Sequence, residues 1–241
     1  MAIYTSKTRI DLEDVGYSNK ITNKAILKIL ENAGARQSET IHFGLNDMEN
    51  VGFSWILLGW KVKILKRPIY NEELTINTWG RDSNRIFTYR DYEIYDESGE
   101  LCAIATSKWA IVDINTGKLR ELTPEIIEKY QCETKKVFEE DYTLKLKEPV
   151  TIIRKQEYKA QRRDIDINKH IHNLYYLDYA YEALPEEVYE APECNNIEIM
   201  YKKQIRLNDE FKCLYTKEEN QNIVTMKSED ETTLHAIIKL Y

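Results

Sequence analysis

The chain has 241 residues, of which 42% are hydrophobic and 31% charged, and its formal net charge is −7. This balance is typical of a globular protein with one large domain or two small ones, and eight glycines and five prolines argue against disorder. The acidic charge argues against nucleic acid as the main partner.

The first half of the chain begins with an alternating stretch over residues 3–12, which predicts a strand. A turn-like "DVGYSNK" follows, and an apolar pattern with helical spacing then predicts a helix from Ile21, with Gly34 as a candidate kink and Gly44 as its stop. Four strand-like runs lie between Ser54 and Gly117, separated by turn signals. The short "TPEIIEKY" predicts one more helix before a charge-rich connector.

The second half repeats this order of elements. A strand-like "VTIIRKQEYKA" precedes a polar stretch, a helix from about Asn173, and further strands. "NDE" at 208–210 echoes "NEE" at 71–73, and "NK" at 168–169 mirrors "NK" at 19–20. The repetition predicts two related α+β units, residues 1–135 and 136–241, each a long helix wrapped by a curved antiparallel sheet in the hot-dog arrangement. An unrelated α+β fold with two helices remains the alternative.

The polar stretch has an unusual pattern. In "RRDIDINKHIHNLYYLDYAYEAL", polar side chains occupy every second position from Asp164 to His172, and a helical aromatic pattern follows at once. This segment resembles the signature of the acyl-acyl-carrier-protein (acyl-ACP) thioesterases, roughly R-R-x-D-x-D-x-N-x-H-[VI]-N-N. The upstream tryptophan-rich "SWILLGWKVKILKRPIYNEELTINTW" and "RDYEIYDESGELCAIATSKWAIVDINTGKL" are similar to further motifs of that family.

The resemblance covers almost the whole chain and implies a tandem double hot-dog fold. It also implies hydrolysis of the thioester that joins a fatty acyl chain to acyl carrier protein, without a cofactor. We expect the bacterial branch, because no plastid transit peptide precedes the match. The sequence has no apolar run long enough to span a bilayer and no signal-peptide core, so we expect a cytoplasmic protein without a membrane partner.

The chemistry assigns roles within the signature. His170 is suited to take a proton from water, and a carboxylate beside it, Asp166 or Asp164, would favour the imidazolium and fix the ring tautomer. Asn168 offers an amide for the water or the thioester carbonyl, and the N-terminus of the next helix offers free N–H groups for an oxyanion. Because Asp166, Asn168 and His170 share one side only on an extended backbone, we predict an extended segment and a helix that begins no earlier than about His170.

The signature departs from the plant pattern at two positions. His172 stands where the first asparagine of the N-N pair would be. Gln204 stands where some family members place a downstream carboxylate, and glutamine cannot act as a general base, although it could orient a water.

Other interpretations of these residues remain open. Asp164 and Asn173 could be helix caps, and His172 is better explained as a surface or supporting residue than as a catalyst. An Asp/His/His metal site is conceivable, but no distant cluster of His or Cys completes it, so we expect no metal. The four scattered cysteines favour reduced thiols over a disulfide framework.

Substrate contacts follow from the resemblance. The family seats its acyl chain in the first half, which makes the interior of that half the candidate acyl pocket. Its candidate residues, each of which taken alone is better explained as ordinary core, are Ala25, Ile29, Trp55, Trp60 and Trp79. Carrier protein is acidic, so a basic collar near the site is expected to contact it, although basic residues also serve solubility. The residues of this collar are Arg162, Arg163, Lys169, Lys202 and Lys203.

Three other functions compete with acyl-ACP hydrolysis. The same scaffold could hydrolyse acyl-CoA, and the glutamine at 204 makes a non-catalytic acyl-binding module conceivable. A related hot-dog hydratase would need an acid/base signature that is not evident in the sequence. Acyl chain length, and whether the chain forms a homodimer, are left open.

Overall fold

The computed structural model describes residues 3–81, 85–140 and 145–241. The chain divides into two compact units, residues 1–143 and 144–241. The assignment of the acyl pocket to a first domain and of catalysis to a second, with a boundary at 135/136, stays a prediction.

The N-terminal unit is built on an antiparallel sheet with the strand order β1-β3-β4-β5-β2, and β6 pairs with β5. Buried and partly exposed residues alternate along much of β3, as expected for strands that cover a core with one face. The strands are β1 Tyr4–Arg9, β2 Phe53–Ile64, β3 Glu73–Gly80, β4 Phe87–Tyr95, β5 Leu101–Asp113 and β6 Leu119–Arg120.

The long helix of this unit, α1 (Asn23–Thr40), contacts β1 and β3. Its N-cap Thr22 accepts a hydrogen bond from the Ala25 N–H, which satisfies one of the free donors at the start of the helix. The predicted stop at Gly44 is wrong, since α1 ends at Thr40. Gly34 does not break the helix; a Cβ there would lie 3.0 Å from the Tyr92 hydroxyl, so the glycine allows close packing on the sheet.

Two shorter helices follow, α2 (Met48–Val51) and α3 (Pro124–Tyr130). The predicted helix in "TPEIIEKY" is confirmed as α3, which is capped by Thr123 and has proline in its first turn, where no backbone N–H is needed. The buried part of α3 packs on an aromatic cluster that includes Phe43 and Phe53.

The C-terminal unit repeats the pattern with the strand order β8-β11-β10-β9-β7, again antiparallel. Its main helix begins at Asn173, as predicted, and contacts β11. The elements are β7 Arg154–Lys159, α4 Asn173–Glu182, α5 Glu186–Tyr189, β8 Asn196–Tyr201, β9 Glu210–Glu218, β10 Gln221–Ser228 and β11 Leu234–Leu240.

Two predictions of the sequence concern the whole chain. The four cysteines are free thiols, as expected, and two of them, Cys102 and Cys213, are buried. In the parts of the chain that the structure describes, no helix is both long enough and apolar enough to cross a membrane.

Candidate active site

The segment from Asp166 to His170 is a tight turn, so the prediction of an extended segment is wrong. The Lys169 N–H donates to the Asp166 carbonyl (3.0 Å), and the Asp166 N–H donates to the His170 carbonyl (3.0 Å). Lys169 takes a positive φ of 63°. The Asp166 side chain adds a contact that is typical of turns, because its Oδ1 accepts the Asn168 N–H at 2.8 Å.

The turn nevertheless brings the predicted acid and base together. His170 Nδ1 lies 3.8 Å from Asp166 Oδ2, and their side chains are 22% and 13% exposed. Asn168 is exposed, and its Nδ2 lies 3.4 Å from Asp166 Oδ2. The three residues therefore do meet, around the Asp166 carboxylate.

The hydrogen bond of His170 indicates which ring nitrogen carries the proton. Nδ1 lies 3.1 Å from the carbonyl oxygen of Ile171, an acceptor, so Nδ1 carries the proton in the neutral ring. The Asp166 carboxylate, at 3.8 Å, is beyond hydrogen-bond distance. Nε2 is then the nitrogen that can accept a proton.

Asp164 has a structural role. It is 4% exposed, and its Oδ2 accepts the Gln161 N–H at 2.7 Å and the Tyr179 hydroxyl at 2.6 Å. Burial and the neighbouring carboxylate raise the pKa of Tyr179. Asp164 thus ties a 3-10 turn (Arg162–Asp164) to α4 and is not available to orient His170.

The N-cap of α4 is His172, so the alternative of Asp164 or Asn173 as the cap of this helix is wrong. His172 Nδ1 accepts the Leu174 N–H at 3.3 Å. Its backbone N–H donates to the Asp164 carbonyl. Asn173 is the first residue of the helix, and Tyr201 donates its hydroxyl proton to the Asn173 carbonyl. His172 therefore supports the loop, as the sequence favoured.

The N-terminal unit contains the same turn. The Asn19 N–H donates to the Gly16 carbonyl (2.9 Å), the Gly16 N–H donates to the Lys20 carbonyl (3.0 Å), and Asn19 has a φ of 57°. Lys20 thus corresponds to His170, so the predicted match of "NK" at 19–20 to "NK" at 168–169 is wrong by one residue. The turn forms without a catalytic set of side chains.

A segment between β8 and β9 pairs with this turn. The Ile171 N–H donates to the Ile205 carbonyl (2.8 Å), His170 forms a backbone bridge with Arg206, and the Tyr176 hydroxyl accepts the Ile205 N–H. Gln204 precedes Ile205 and is exposed. It lines a polar cavity of about 810 Å³ within the C-terminal unit.

The cavity also contains His235, which the sequence analysis missed. This side chain is 6% exposed, and its Nδ1 lies 2.8 Å from the Lys203 carbonyl. Burial lowers the pKa of His235, so the neutral ring donates from Nδ1. A single histidine in a largely apolar strand gives no signal of this position in the sequence.

The predicted basic collar is only partly gathered in one place. Lys202 and Lys203 line the cavity together with Arg206, which was not predicted. Arg162 and Lys169 are exposed near the turn, and Arg163 lies 3.7 Å from the Asp164 carboxylate. Contact with carrier protein stays a prediction for all five residues of the collar.

The predicted acyl-pocket residues do not form one group. Ala25, Ile29, Trp60 and Trp79 are at most 7% exposed. Trp60 packs on Tyr92, and the Trp79 indole donates to the Lys135 carbonyl. Trp55 belongs instead to the aromatic cluster beside α3. Burial is compatible with both a pocket and a core, so the acyl-pocket assignment stays a prediction.

Similarity to solved structures supports the fold. An acyl-ACP thioesterase from Bacteroides thetaiotaomicron aligns with a TM-score of 0.86 at 23% identity, covering 99% of this chain and 97% of that one. The 12:0-ACP thioesterase of Umbellularia californica aligns with a TM-score of 0.84 at 16% identity, covering 100% and 96%. The predicted α+β tandem hot-dog fold is confirmed.

Sequence comparison supports the family. The chain is 25% identical to the chloroplastic oleoyl-acyl carrier protein thioesterase 2 of Arabidopsis thaliana and 25% identical to an oleoyl-acyl carrier protein thioesterase of Coriandrum sativum. The alignments cover 92% and 93% of this chain but 65% of each plant protein, so the chain spans just under two thirds of these relatives. Models of the acyl-ACP thioesterase N-terminal and C-terminal domains match residues 1–130 and 147–239. The chain therefore belongs to the acyl-ACP thioesterase family.

Proposed function

We propose that this chain hydrolyses fatty acyl-ACP thioesters to free fatty acid and carrier protein, with His170 as the general base. One observation carries the assignment of the base: the same backbone turn occurs twice, and the N-terminal copy is built with Gly16, Ser18 and Lys20. The fold does not require an acid, an amide and an imidazole at these positions. Their presence in the C-terminal turn supports a chemical role.

The reaction needs a deprotonated water, a site for the oxyanion and an exit for the thiolate. His170 Nε2 takes a proton as the water oxygen attacks the thioester carbon, and Nδ1 keeps its bond to the Ile171 carbonyl. When the intermediate collapses, the C–S bond breaks and the imidazolium returns the proton to the sulfur. A positioned base of this kind contributes about 10²- to 10⁴-fold.

The neighbours of His170 have separate roles in this proposal. Asp166 stabilises the imidazolium through its charge at 3.8 Å. Asn168 offers its exposed amide to the water or the carbonyl. In the first turn of α4 the Leu174 N–H donates to His172 Nδ1 and the Tyr175 N–H donates to the His172 carbonyl, so no oxyanion site is assigned to these two donors. Gln204 cannot accept a proton, so no second base is assigned to it.

The acyl chain is proposed to occupy the interior of the N-terminal unit. Four of the predicted residues, Ala25, Ile29, Trp60 and Trp79, are buried and apolar, and each buried methylene of a ligand contributes about 0.8 kcal/mol. Ala25 and Ile29 lie one helical turn apart on α1. Their side chains are smaller than those of the other predicted lining residues, which are all tryptophans. Ala25→Leu is expected to shorten the preferred acyl chain if this interior holds it.

The carrier protein is proposed to approach the cationic part of the cavity. Within the parts of the chain that the structure describes, Lys202, Lys203 and Arg206 form no ion pair and could contact an acidic partner. The rest of the cavity lining carries four carboxylates, those of Asp209, Glu210, Glu229 and Asp230. An acidic partner is steered by rim charges and loses affinity as salt rises. A cytoplasmic location remains a prediction from the sequence.

The experiment compares acyl-ACP and acyl-CoA thioesters of equal chain length in one assay, with release of the thiol as the readout. Acyl-ACP should be hydrolysed with the higher kcat/KM. Equal or better use of acyl-CoA would favour an acyl-CoA thioesterase, and retention of fatty acid without turnover would favour a binding module. Either result would contradict the proposal.

A further inference from the structure

The two units use different residues to pair with their turns. In the N-terminal unit the Ile21 N–H donates to the Pro68 carbonyl at 2.9 Å, and in the C-terminal unit the Ile171 N–H donates to the Ile205 carbonyl at 2.8 Å. The two donating isoleucines directly follow the equivalent turn residues, so Pro68 and Ile205 are structural counterparts. The acceptor residue is therefore a proline in one unit and an isoleucine in the other.

This difference changes what the backbone requires. Proline has no N–H, whereas Ile205 is buried and has an N–H that needs an acceptor. The fourth residue of the main helix differs in the same way: it is Ile26 in α1 and Tyr176 in α4, and both are buried. The Tyr176 hydroxyl accepts the Ile205 N–H at 3.2 Å. The C-terminal unit thus has a hydroxyl and an N–H where the N-terminal unit has neither.

Three hydrogen bonds lead from the Tyr176 hydroxyl to the imidazole of His170. The hydroxyl accepts the Ile205 N–H, the Ile205 carbonyl accepts the Ile171 N–H, and the Ile171 carbonyl lies 3.1 Å from His170 Nδ1. The Tyr176 ring packs edge-on against Tyr201 at 5.3 Å between ring centroids, which fixes the start of this series. Burial raises the pKa of Tyr176, so its first acceptor is a neutral hydroxyl.

We propose that Tyr176 is a positioning residue for His170: by fixing Ile205 it holds the Ile171 carbonyl in the place that keeps the proton of the neutral imidazole on Nδ1. The hydrogen bond made by one ring nitrogen of a histidine decides which nitrogen carries the proton. If the Ile205 backbone were free to move, the proton could occupy Nε2 and block the base. The inference rests on the proposed function, in which Nε2 takes the proton of water.

The tautomer of His170 can be measured without turnover, from the nitrogen NMR chemical shifts of the neutral ring. The wild type should carry the proton mainly on Nδ1. Tyr176→Phe removes the acceptor of the Ile205 N–H but keeps the aromatic ring, and it should raise the share of the Nε2-protonated form at least about threefold. The matched control is Tyr179→Phe on the same helix, which removes a hydrogen bond to the buried Asp164 and should leave the tautomer unchanged.

The same variants separate positioning from stability in an assay of acyl-ACP hydrolysis. Tyr176→Phe should lower kcat by about 5- to 20-fold and change KM less than about twofold, because the proton acceptor is affected and substrate binding is not. Tyr179→Phe should keep kcat within about threefold of the wild type. The double change Tyr176→Phe with Ile205→Pro copies the N-terminal pairing and leaves no N–H at position 205. It should restore the tautomer, and kcat to within about threefold of the wild type.

A wild-type His170 that carries its proton mainly on Nε2 would overturn the inference, whether or not any variant folds. So would a Tyr176→Phe protein with the wild-type tautomer. A double variant with as large a loss of kcat as Tyr176→Phe alone would also overturn it, because the hydroxyl itself would then be the required group. If the wild type hydrolyses none of the thioesters, the proposed function fails, and the tautomer measurements still decide the role of Tyr176.

Discussion

Replacing Asp166 by asparagine removes a charge and keeps the shape of the loop. The asparagine oxygen can still accept the Asn168 N–H, which Asp166 Oδ1 accepts at 2.8 Å. The N-terminal unit forms the same turn with Gly16, which has no side chain to offer. We therefore expect Asp166→Asn to change the free energy of unfolding by less than about 1 kcal/mol.

The catalytic effect follows from the distance between the charges. The carboxylate lies 3.8 Å from His170 Nδ1, and both side chains are partly exposed, so solvent screens the pair. Coulomb's law then gives about 1 kcal/mol at the dielectric constant of water and about 2 kcal/mol at half that value. Loss of this stabilisation of the imidazolium should lower kcat/KM by about 6- to 40-fold.

The assay is steady-state hydrolysis of an acyl-ACP thioester at low ionic strength. Asp113→Asn is the matched control, because Asp113 Oδ1 also accepts a backbone N–H two residues on, from Asn115, and has no proposed part in the reaction. A kcat/KM unchanged in Asp166→Asn, or a loss fully explained by unfolding, would refute the electrostatic role of Asp166.

Other predictions concern stability, pH and partner binding. Asp164→Asn and Tyr179→Phe should each lower the free energy of unfolding by about 1–3 kcal/mol. Each should change kcat of the folded protein less than threefold, which is the opposite pattern to Asp166→Asn. A large loss of kcat without destabilisation would argue against a structural role. The pKa of His235 is lowered by burial from 6.5, so the folded state binds fewer protons than the unfolded chain below that pH, and stability should fall as pH drops from about 6.5 towards the folded pKa. His235→Asn should flatten this part of the urea-unfolding profile, and an identical slope would contradict the assignment. The double change Lys202→Glu with Lys203→Glu should raise KM about tenfold for acyl-ACP but not for acyl-pantetheine, with the difference shrinking at high salt; an equal effect on both substrates would exclude a carrier-protein contact.

The regular elements could be predicted because their signals are local. The aromatic pattern after His172 has helical spacing, and α4 begins at Asn173 as that pattern indicates. The repeated order of strand, helix and strands predicted the two units. The stop of α1 was placed at Gly44 because glycine commonly follows a helix, whereas the helix ends earlier at Thr40.

The sequence predicts a strand where the structure has the turn at Asp166–His170, because polar residues at every second position are compatible with both. Polar residues at alternate positions place side chains on one face of a strand, but Asp166 bonds its own backbone and closes a turn. The first unit contains a correcting signal, because "DVGYSNK" is turn-like and Lys20 is the structural counterpart of His170. The identical letters "NK" in the two halves align one residue away from this correspondence.

The environment of His170 could not be predicted from sequence spacing. The segment that pairs with the turn lies more than thirty residues downstream, and its contacts depend on register between elements. His235 is likewise identified by its burial and its bond to the Lys203 carbonyl, not by its type.

The most direct test of the account is the turnover of an acyl-ACP thioester by His170→Gln beside Lys20→Gln, the same change at the equivalent position of the N-terminal turn. The account predicts that His170→Gln lowers kcat by at least about 10²-fold, while Lys20→Gln stays within about twofold of the wild type. A folded His170→Gln protein with a kcat close to that of the wild type would contradict it.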